Sequence, residues 1–181
     1  PYSNNAKLST KGFELTVSWR DHITSDLSYN VAFSLGDSRS TILKYKNDSG
    51  RIDDWYEGKK VGEIWGFVTD GIIQSEGEAM PDQSKYYNTW GPGDMKYKDL
   101  DGNNILDDGA RTLDDHGDLK VIGNHTPRFN YGITAGLTWK NFDFNMFWQG
   151  IGKRDYLANA SLNRFFGVVI GGTPSRKAKR S

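Results

Sequence analysis

The chain has no cysteine among its 181 residues, which excludes a disulfide framework and a thiolate metal site. Its 23 basic and 23 acidic residues give no net charge, which argues against a nucleic-acid binder that works by bulk electrostatics. No apolar run approaches the ~18 residues of a transmembrane helix. The first residues also lack the basic and apolar regions of a signal peptide, and Pro1 is not a start methionine. We therefore expect an internal piece of a longer protein.

Aromatic residues and glycine are abundant. Aromatics make up 13% of the chain, glycine occurs 21 times, and the mean hydropathy is −0.68. This composition favours an all-β chain with many turns over a helical one.

Two early segments alternate strictly between apolar and polar residues, as half-buried β-strands do. The apolar positions are Phe13, Leu15, Val17 and Trp19 in segment 12–19, and Leu27, Tyr29, Val31, Phe33 and Leu35 in segment 27–35. Residues 20–26 between them predict a polar turn. Residues 1–35 are thus expected to form a polar lead-in, 1–11, followed by a hairpin.

A second hairpin is predicted over residues 128–156, with Lys140 and Asn141 in its turn. Its apolar positions are Phe129, Tyr131, Ile133, Ala135, Leu137 and Trp139, then Phe142, Phe144, Met146 and Trp148. Residues 36–127 are expected to be mainly loop, with short strands at 42–45 and 62–71 and a short helix near 76–79. The basic tail, residues 157–181, is left without a role.

The strand lengths predict a membrane barrel. Each alternating strand has about nine to twelve residues, the length that a tilted strand needs to cross a bilayer. Short turns at one end and the long connection 36–127 at the other are typical of outer-membrane barrels. Trp19 and Trp139, at the turn ends of their strands, predict an interfacial aromatic girdle. We therefore expect an all-β fold: two hairpins of a transmembrane antiparallel β-barrel with long extracellular loops. A soluble sandwich is the alternative, although its strands are usually shorter.

Several motifs, in order, resemble SusC/RagA-type TonB-dependent outer-membrane transporters. Residues 62–71 read Gly-Glu-Ile-Trp-Gly-Phe-Val-Thr-Asp-Gly, and residues 92–102 read Pro-Gly-Asp-Met-Lys-Tyr-Lys-Asp-Leu-Asp-Gly. Residues 122–132 read Ile-Gly-Asn-His-Thr-Pro-Arg-Phe-Asn-Tyr-Gly, and Phe-Asp-Phe follows at 142–144. The resemblance covers roughly residues 8–156. Asn103-Asn104 departs from it, because the family usually has Asp-Gly there.

The resemblance implies a fragment from the C-terminal half of such a barrel, in the outer membrane of a Gram-negative bacterium, with its loops extracellular. It implies import of large nutrients, oligosaccharides or peptides, and no enzymatic activity. The implied partners are a SusD-like surface lipoprotein, membrane lipid, and TonB, which would contact the N-terminal part of the parent protein. No nucleic acid is implied.

The acidic loop offers oxygen ligands at alternate positions, which is the spacing of a calcium loop. The candidate ligands for Ca²⁺ are Asp99, Asp101, Asn103, the Ile105 carbonyl and Asp107. Ala110 stands where a bidentate Glu would complete such a site. The alternative is a solvated acidic turn with Asx caps.

Four aromatic residues of the long connection are candidate ligand contacts: Trp65, Tyr86, Tyr87 and Trp90. Their rings would stack on sugars, or alternatively pack the loops together. Two further functions stay open. One is a soluble β-rich carbohydrate-binding module with a Ca²⁺-stabilised loop, and the other is a carbohydrate-active enzyme that uses acidic-loop carboxylates.

Overall fold

The computed structural model describes residues 6–157, which form β-strands and loops. The strands are β1 (Ala6–Thr24), β2 (Leu27–Tyr45), β3 (Glu63–Phe67), β4 (Thr69–Ile72), β5 (Met95–Tyr97), β6 (Leu119–Asn124), β7 (Arg128–Trp139) and β8 (Phe142–Lys153). All pairings between these strands are antiparallel, so the expected all-β class is confirmed. Within the described range, no helix is long and apolar enough to span a membrane.

Four long strands form one sheet in the order β1-β2-β7-β8. Both predicted hairpins are present, and the pairing of β2 with β7 joins them. Phe33 lies opposite Val17 on one side and opposite Ile133 on the other. Residues 46–127 therefore leave and rejoin the sheet at the same end, opposite the hairpin turns.

The register makes one face of this sheet apolar and the other polar, because side chains alternate along each strand. One row across the apolar face reads Val17, Phe33, Ile133 and Trp148. The neighbouring row on the polar face reads Thr16, Ser34, Gly132 and Gln149. The polar face is closely built. A side chain at Gly136 would run into the side chains of Asn30 and Asn145.

The apolar face is uncovered in the described part of the chain. Trp19 is 62% exposed and Phe142 is 73% exposed. The described sheet does not close into a barrel, and β1 and β8 are its two edges.

The strands are longer than the alternation predicts. β1 begins at Ala6, within the expected lead-in, and runs through most of the expected turn to Thr24. β2 continues to Tyr45, so residues 36–41, expected to be loop, are strand. The prediction missed these extensions because the consecutive polar residues Ser38, Arg39 and Ser40 place polar side chains on both faces of β2, which interrupts the alternation.

Of two local predictions between the hairpins, the helix is wrong and the strand is confirmed only in part. Residues 76–79 form a turn rather than a helix, with Gly77 at φ 75° and Glu78 N donating to Ser75 O at 3.4 Å. Segment 62–71 is two strands in different sheets, since β3 pairs with β6 and β4 pairs with β5.

The predicted position of Trp19 at the turn end of its strand is also wrong, because β1 continues to Thr24. The register puts Trp19 opposite Val31, which lies opposite Ala135, four residues along β7 from Trp139. Trp139 does lie at the turn, where its ring stacks on Phe142 at 6.4 Å between centroids.

Residues 46–125 form a loop lobe on the sheet, organised by the β3–β6 and β4–β5 pairs. Its buried apolar residues are Ile52, Ile73, Leu106 and Leu119, and Ile42 of β2 is buried as well. The core of the described structure therefore lies in the lobe and at its contact with β2. The predicted basic tail lies, apart from Leu157, outside the described residues.

Candidate functional site

Three buried polar side chains hold the lobe together: Lys59, Gln83 and Asp118. Each bonds backbone groups of other parts of the lobe, which for Lys59 and Asp118 are segments without regular structure and for Gln83 are the ends of β5. Because buried backbone groups need hydrogen-bond partners, these side chains replace the ladder bonds that a sheet would supply. They define the frame in which the predicted site residues lie.

Lys59 closes the first part of the lobe. Its Nζ donates to the carbonyl oxygens of Ile52 and Asp54, both at 2.7 Å. The side chain also lies against the Tyr56 ring, with Nζ 5.1 Å from the centroid. Burial lowers the pKa of Lys59.

Gln83 connects the aromatic segment to β5. Its Oε1 accepts from Tyr97 N at 2.8 Å, and its Nε2 donates to Met95 O at 3.2 Å. The backbone carbonyl of Gln83 accepts from the Trp90 indole N–H at 2.9 Å. A single residue thus fixes the position of the loop that carries Tyr86, Tyr87 and Trp90.

Asp118 ties together the two ends of the acidic loop. One carboxylate oxygen accepts from Leu100 N at 2.5 Å, and the other accepts from Asp107 N at 3.0 Å. The carboxylates of Asp99 and Asp101 converge on Asp118, with one oxygen from each of the three within 4.8 Å of the others. Sequence reasoning did not find Asp118, because it lies outside the alternating ligand pattern.

The predicted calcium ligands adopt the Asx turns of the alternative interpretation. Asp99 accepts from Gly102 N and Asn104 N at 2.6 and 2.7 Å, and these backbone bonds lower its pKa, the Asn104 bond most. Asp101 accepts from Asn103 N. The Asn103 Oδ1 accepts from Ile105 N at 2.7 Å, and Asp107 Oδ1 accepts from Gly109 N at 2.7 Å. Asp107 is not among the three convergent carboxylates.

The residues present fit a hard cation in part. Carboxylate oxygens within 4.8 Å of one another can share an ion whose Ca–O distances are about 2.3–2.6 Å. Both oxygens of Asp118 already accept from backbone N–H groups, which leaves their remaining lone pairs for an ion. Asp99 and Asp101 are more accessible than the buried Asp118.

The four candidate aromatic residues do not form one platform. The Tyr87 and Trp90 rings meet edge to face at 5.7 Å, and Tyr86 meets Phe67 in the same way at 5.1 Å. Trp65 contacts His116 at 5.4 Å between centroids. Tyr86 and Tyr87 are exposed, whereas Trp65 and Trp90 are half-buried.

An ion-pair network anchors Tyr86. Its hydroxyl donates to Asp108 Oδ1 at 3.1 Å, and Lys85 Nζ reaches the same oxygen at 2.5 Å. Arg111 reaches Asp108 at 3.5 Å and binds Asp53 through two nitrogens at 2.8 and 3.2 Å. The hydrogen bond from Lys85 is the main cause that lowers the pKa of Asp108. Burial raises the pKa of Tyr86, and Asp108 raises it further.

A cavity of about 530 Å³ lies where the lobe meets the sheet. Ser38 and Ser40 of β2, Arg128 of β7 and Lys153 of β8 line it from the sheet, and Lys60, Glu63 and Asn124 line it from the lobe. Glu63 is already engaged, since it accepts from Lys60 N and from the Tyr56 hydroxyl, whose pKa is raised to about 12, mainly by burial. Val61, Val121, Ile122 and Phe129 line it as well, so the cavity offers apolar surface together with cationic and hydroxyl groups to a ligand.

The chain thus consists of a four-stranded antiparallel sheet with one apolar face and a folded lobe of loops at one end of that sheet. Comparison with known proteins agrees with the resemblance noted in the sequence. The chain is 26% identical over 159 residues to TonB-dependent receptor P3 of Formosa agariphila. This alignment covers 81% of the chain and 15% of that receptor. It is 23% identical over 174 residues to TonB-dependent receptor P26 of the same organism, covering 90% of the chain and 17% of the receptor.

The chain is therefore a homologue of TonB-dependent receptors, and the predicted relationship to this class of receptors is confirmed. It spans about one sixth of the length of the curated relatives it matches. No protein-family model matches it.

Proposed function

We propose that the chain is a wall segment of a TonB-dependent outer-membrane receptor of the SusC type, with its lobe on the extracellular side. The observation that carries this proposal is the uncovered apolar face, which continues across β1, β2, β7 and β8 in one register. From Tyr131 to Trp139 this face extends over nine residues of β7, the length that a tilted strand needs to cross a bilayer. The opposite face is polar and suits a barrel lumen.

The two other functions have less support. A soluble carbohydrate-binding module would bury its apolar face against a second layer, and nothing among residues 6–157 covers this one. A carbohydrate-active enzyme would need two carboxyl groups facing a substrate cleft, whereas Asp99, Asp101 and Asp118 accept hydrogen bonds from their own loop. Transport rather than catalysis is therefore the proposed role.

The parent receptor would import a large nutrient, an oligosaccharide or a peptide. The lobe would face the mouth of the barrel and meet a SusD-like lipoprotein, and TonB would act on another part of the parent protein.

Tyr87 is the best placed of the candidate aromatic residues for ligand contact, because it is 51% exposed and its ring is held by Trp90. Tyr87→Ala in the parent receptor should weaken cargo binding, whereas Trp55→Ala, also exposed but outside this aromatic segment, should not.

Size-exclusion chromatography with light scattering tests the membrane assignment. The chain should associate in plain buffer, because its apolar face and two sheet edges are uncovered, and it should become monodisperse in detergent. A monomer in buffer whose size does not change in detergent would contradict the proposal.

A pair of adjacent substitutions on β8 tests which face meets lipid. Met146 lies opposite Ala135, midway along the apolar band, and Asn145 lies opposite Gly136 on the polar face. Met146→Lys should reduce the membrane stability of the parent barrel by about 2 to 4 kcal/mol, as a charge near the bilayer midplane does. Asn145→Lys is the matched control and should cost much less. Equal losses would show that the two faces do not differ in environment.

We also propose that the acidic loop binds Ca²⁺ through Asp99, Asp101 and Asp118, with Asn103 and the Ile105 carbonyl as further ligands predicted from the sequence. Asp107, the other predicted ligand, lies outside this convergence. The convergence of three carboxylates supports this proposal. Millimolar Ca²⁺ should raise the melting temperature of the lobe, because an ion bound only by the folded state stabilises it. Asp101→Asn should abolish the increase, and Asp114→Asn, an exposed acidic residue outside the cluster, should leave it intact. An unchanged melting temperature in the unsubstituted chain would contradict the proposal.

A further inference from the structure

The apolar face ends at the lobe side in a pair of basic residues. Lys11 of β1 and Arg39 of β2 lie directly opposite each other, one same-face row beyond the pair Phe13 and Asp37. The register between Leu15 and Lys11 has no irregularity, so Lys11 and Arg39 are on the same face as Leu15 and its partner. Both residues are exposed.

A third basic residue, Arg154, follows β8 at the same end of the sheet. Its Nε donates to His125 O at 3.0 Å, which fixes the side chain near the base of the lobe. A guanidinium has five N–H donors, so most of them stay free for another acceptor. Arg154 is exposed as well.

None of these three cations forms a salt bridge with a carboxylate of the described residues, although the charge of Arg39 also acts on Asp37. Asp37, the nearest acidic residue on the face, is bound by Arg128. Asp155 accepts from Asn124 N at 2.8 Å, and Glu14 is on the opposite face of β1. Like charges directly opposite each other destabilise a strand pair, so the pair of Lys11 and Arg39 favours an external anion.

The other end of the apolar face is different. The charged strand residue there is Asp21, which lies opposite Tyr29. Lys140, in the turn, lies over the Trp139 ring with Nζ 5.6 Å from the centroid. The outward-facing positive charge therefore lies at the lobe end of the sheet.

We propose that Lys11, Arg39 and Arg154 bind the phosphate groups of anionic lipid headgroups in the membrane layer on the lobe side. The proposal rests on the proposed function, because it requires a bilayer around the apolar face. The row lies about 7 Å along the strand from Phe13. Long basic side chains keep their stems against apolar surface and their charged heads in polar surroundings, so the heads of this row can reach a headgroup layer at the edge of the apolar face. A basic residue near an anionic membrane surface contributes about 1 kcal/mol, or about fivefold in affinity.

Lipid binding to the parent receptor in detergent tests the proposal. The probes are lipid A with two phosphates, lipid A with its phosphates removed, and inorganic phosphate alone, with bound lipid counted by native mass spectrometry. The two-phosphate lipid should bind, and the triple variant K11Q/R39Q/R154Q should bind it about 100-fold more weakly. The matched control is R20Q/K60Q/K120Q, which removes the same charge from exposed residues away from this row and should keep most of the affinity.

Three results would overturn the proposal: equal binding of the dephosphorylated lipid, equal weakening in both triple variants, or saturation of the site by inorganic phosphate without lipid. Circular dichroism of each variant confirms that it is folded. If the unsubstituted receptor enters bilayers and still shows no phosphate preference, this inference fails while the proposed function stands. If it does not enter bilayers, the proposed function itself fails.

Discussion

Arg128 binds Asp37 with two guanidinium nitrogens at the point where β2 and β7 separate. The last paired residues of these strands are Gly36 and Asn130, so this ion pair directly follows the last backbone pairing between them. The Asp37 side chain is 9% exposed and that of Arg128 is 19% exposed. The pair therefore closes the sheet at the base of the lobe.

Removing this pair should loosen the lobe at its base. Arg128→Gln should increase hydrogen exchange at Val61 and His125, whose backbone N–H groups bond Ser40 and Gly62 near the junction. Arg20→Gln is the control, because Arg20 is exposed and lies opposite Asn30 at the far end of the sheet. The double variant Asp37→Arg/Arg128→Asp, which exchanges the two charges of the pair, should restore part of the protection from hydrogen exchange. Equal exchange in both single variants would show that the pair has no locking role.

Two neighbouring residues of the acidic loop test where the lobe core lies. Leu106 is 1% exposed and Ile105 is 48% exposed. Leu106→Ala should reduce the free energy of unfolding of the lobe by about 3 kcal/mol, as a buried cavity does. Ile105→Ala should cost less than about 1 kcal/mol, since it removes little buried area. Denaturant unfolding followed by tryptophan fluorescence measures both, and similar values would place the core elsewhere.

Lys59 and Lys60 form a second matched pair. Lys59→Met should destabilise the lobe by about 3 kcal/mol, because it leaves the carbonyl oxygens of Ile52 and Asp54 without their charged donor. Lys60→Met removes an exposed charge and should change stability by less than about 0.5 kcal/mol. Thermal and denaturant unfolding of the two variants in parallel give the comparison. A Lys59→Met protein as stable as the unsubstituted chain would show that water satisfies those carbonyls.

The ion pair of Asp108 with Lys85 should make lobe stability depend on acid pH. Lys85 holds the pKa of Asp108 below the ordinary value of 3.8, so the folded state binds this proton less tightly than the unfolded chain. The resulting stabilisation is present above about pH 4 and is lost as the pH falls through the folded pKa. Asp108→Asn should therefore be less stable than the unsubstituted lobe at pH 7, and the difference should shrink towards pH 3.

Unfolding at pH 7, 5, 4 and 3 measures this difference, with Asp114→Asn as a control that removes an exposed carboxylate. A difference in unfolding free energy that stays constant across these pH values would show that Asp108 stabilises the lobe by packing rather than by its negative charge.

The sheet was predictable and the lobe was not, for a physical reason. Alternation of apolar and polar residues predicts a strand and shows which of its faces is apolar. Residues such as Leu15, Val31 and Phe144 therefore identify their strands from the sequence. Lys59, Gln83 and Asp118 act through backbone groups distant in sequence, and no periodic pattern marks such a residue. The helix expected near 76–79 failed because Glu78 instead accepts from Gln74 N and pairs with Lys96 of β5.

The distribution of buried residues separates the chain into two parts that respond differently to water. The lobe has its own interior, whereas the sheet buries nothing on its apolar face. We therefore expect the lobe to fold in an aqueous compartment, while the sheet acquires its final stability only once lipid replaces water on that face. Pulsed hydrogen exchange during refolding into detergent would show this order as protection at Leu106 that precedes protection along β7. Protection of both at the same rate would mean that strand assembly forms the lobe as well.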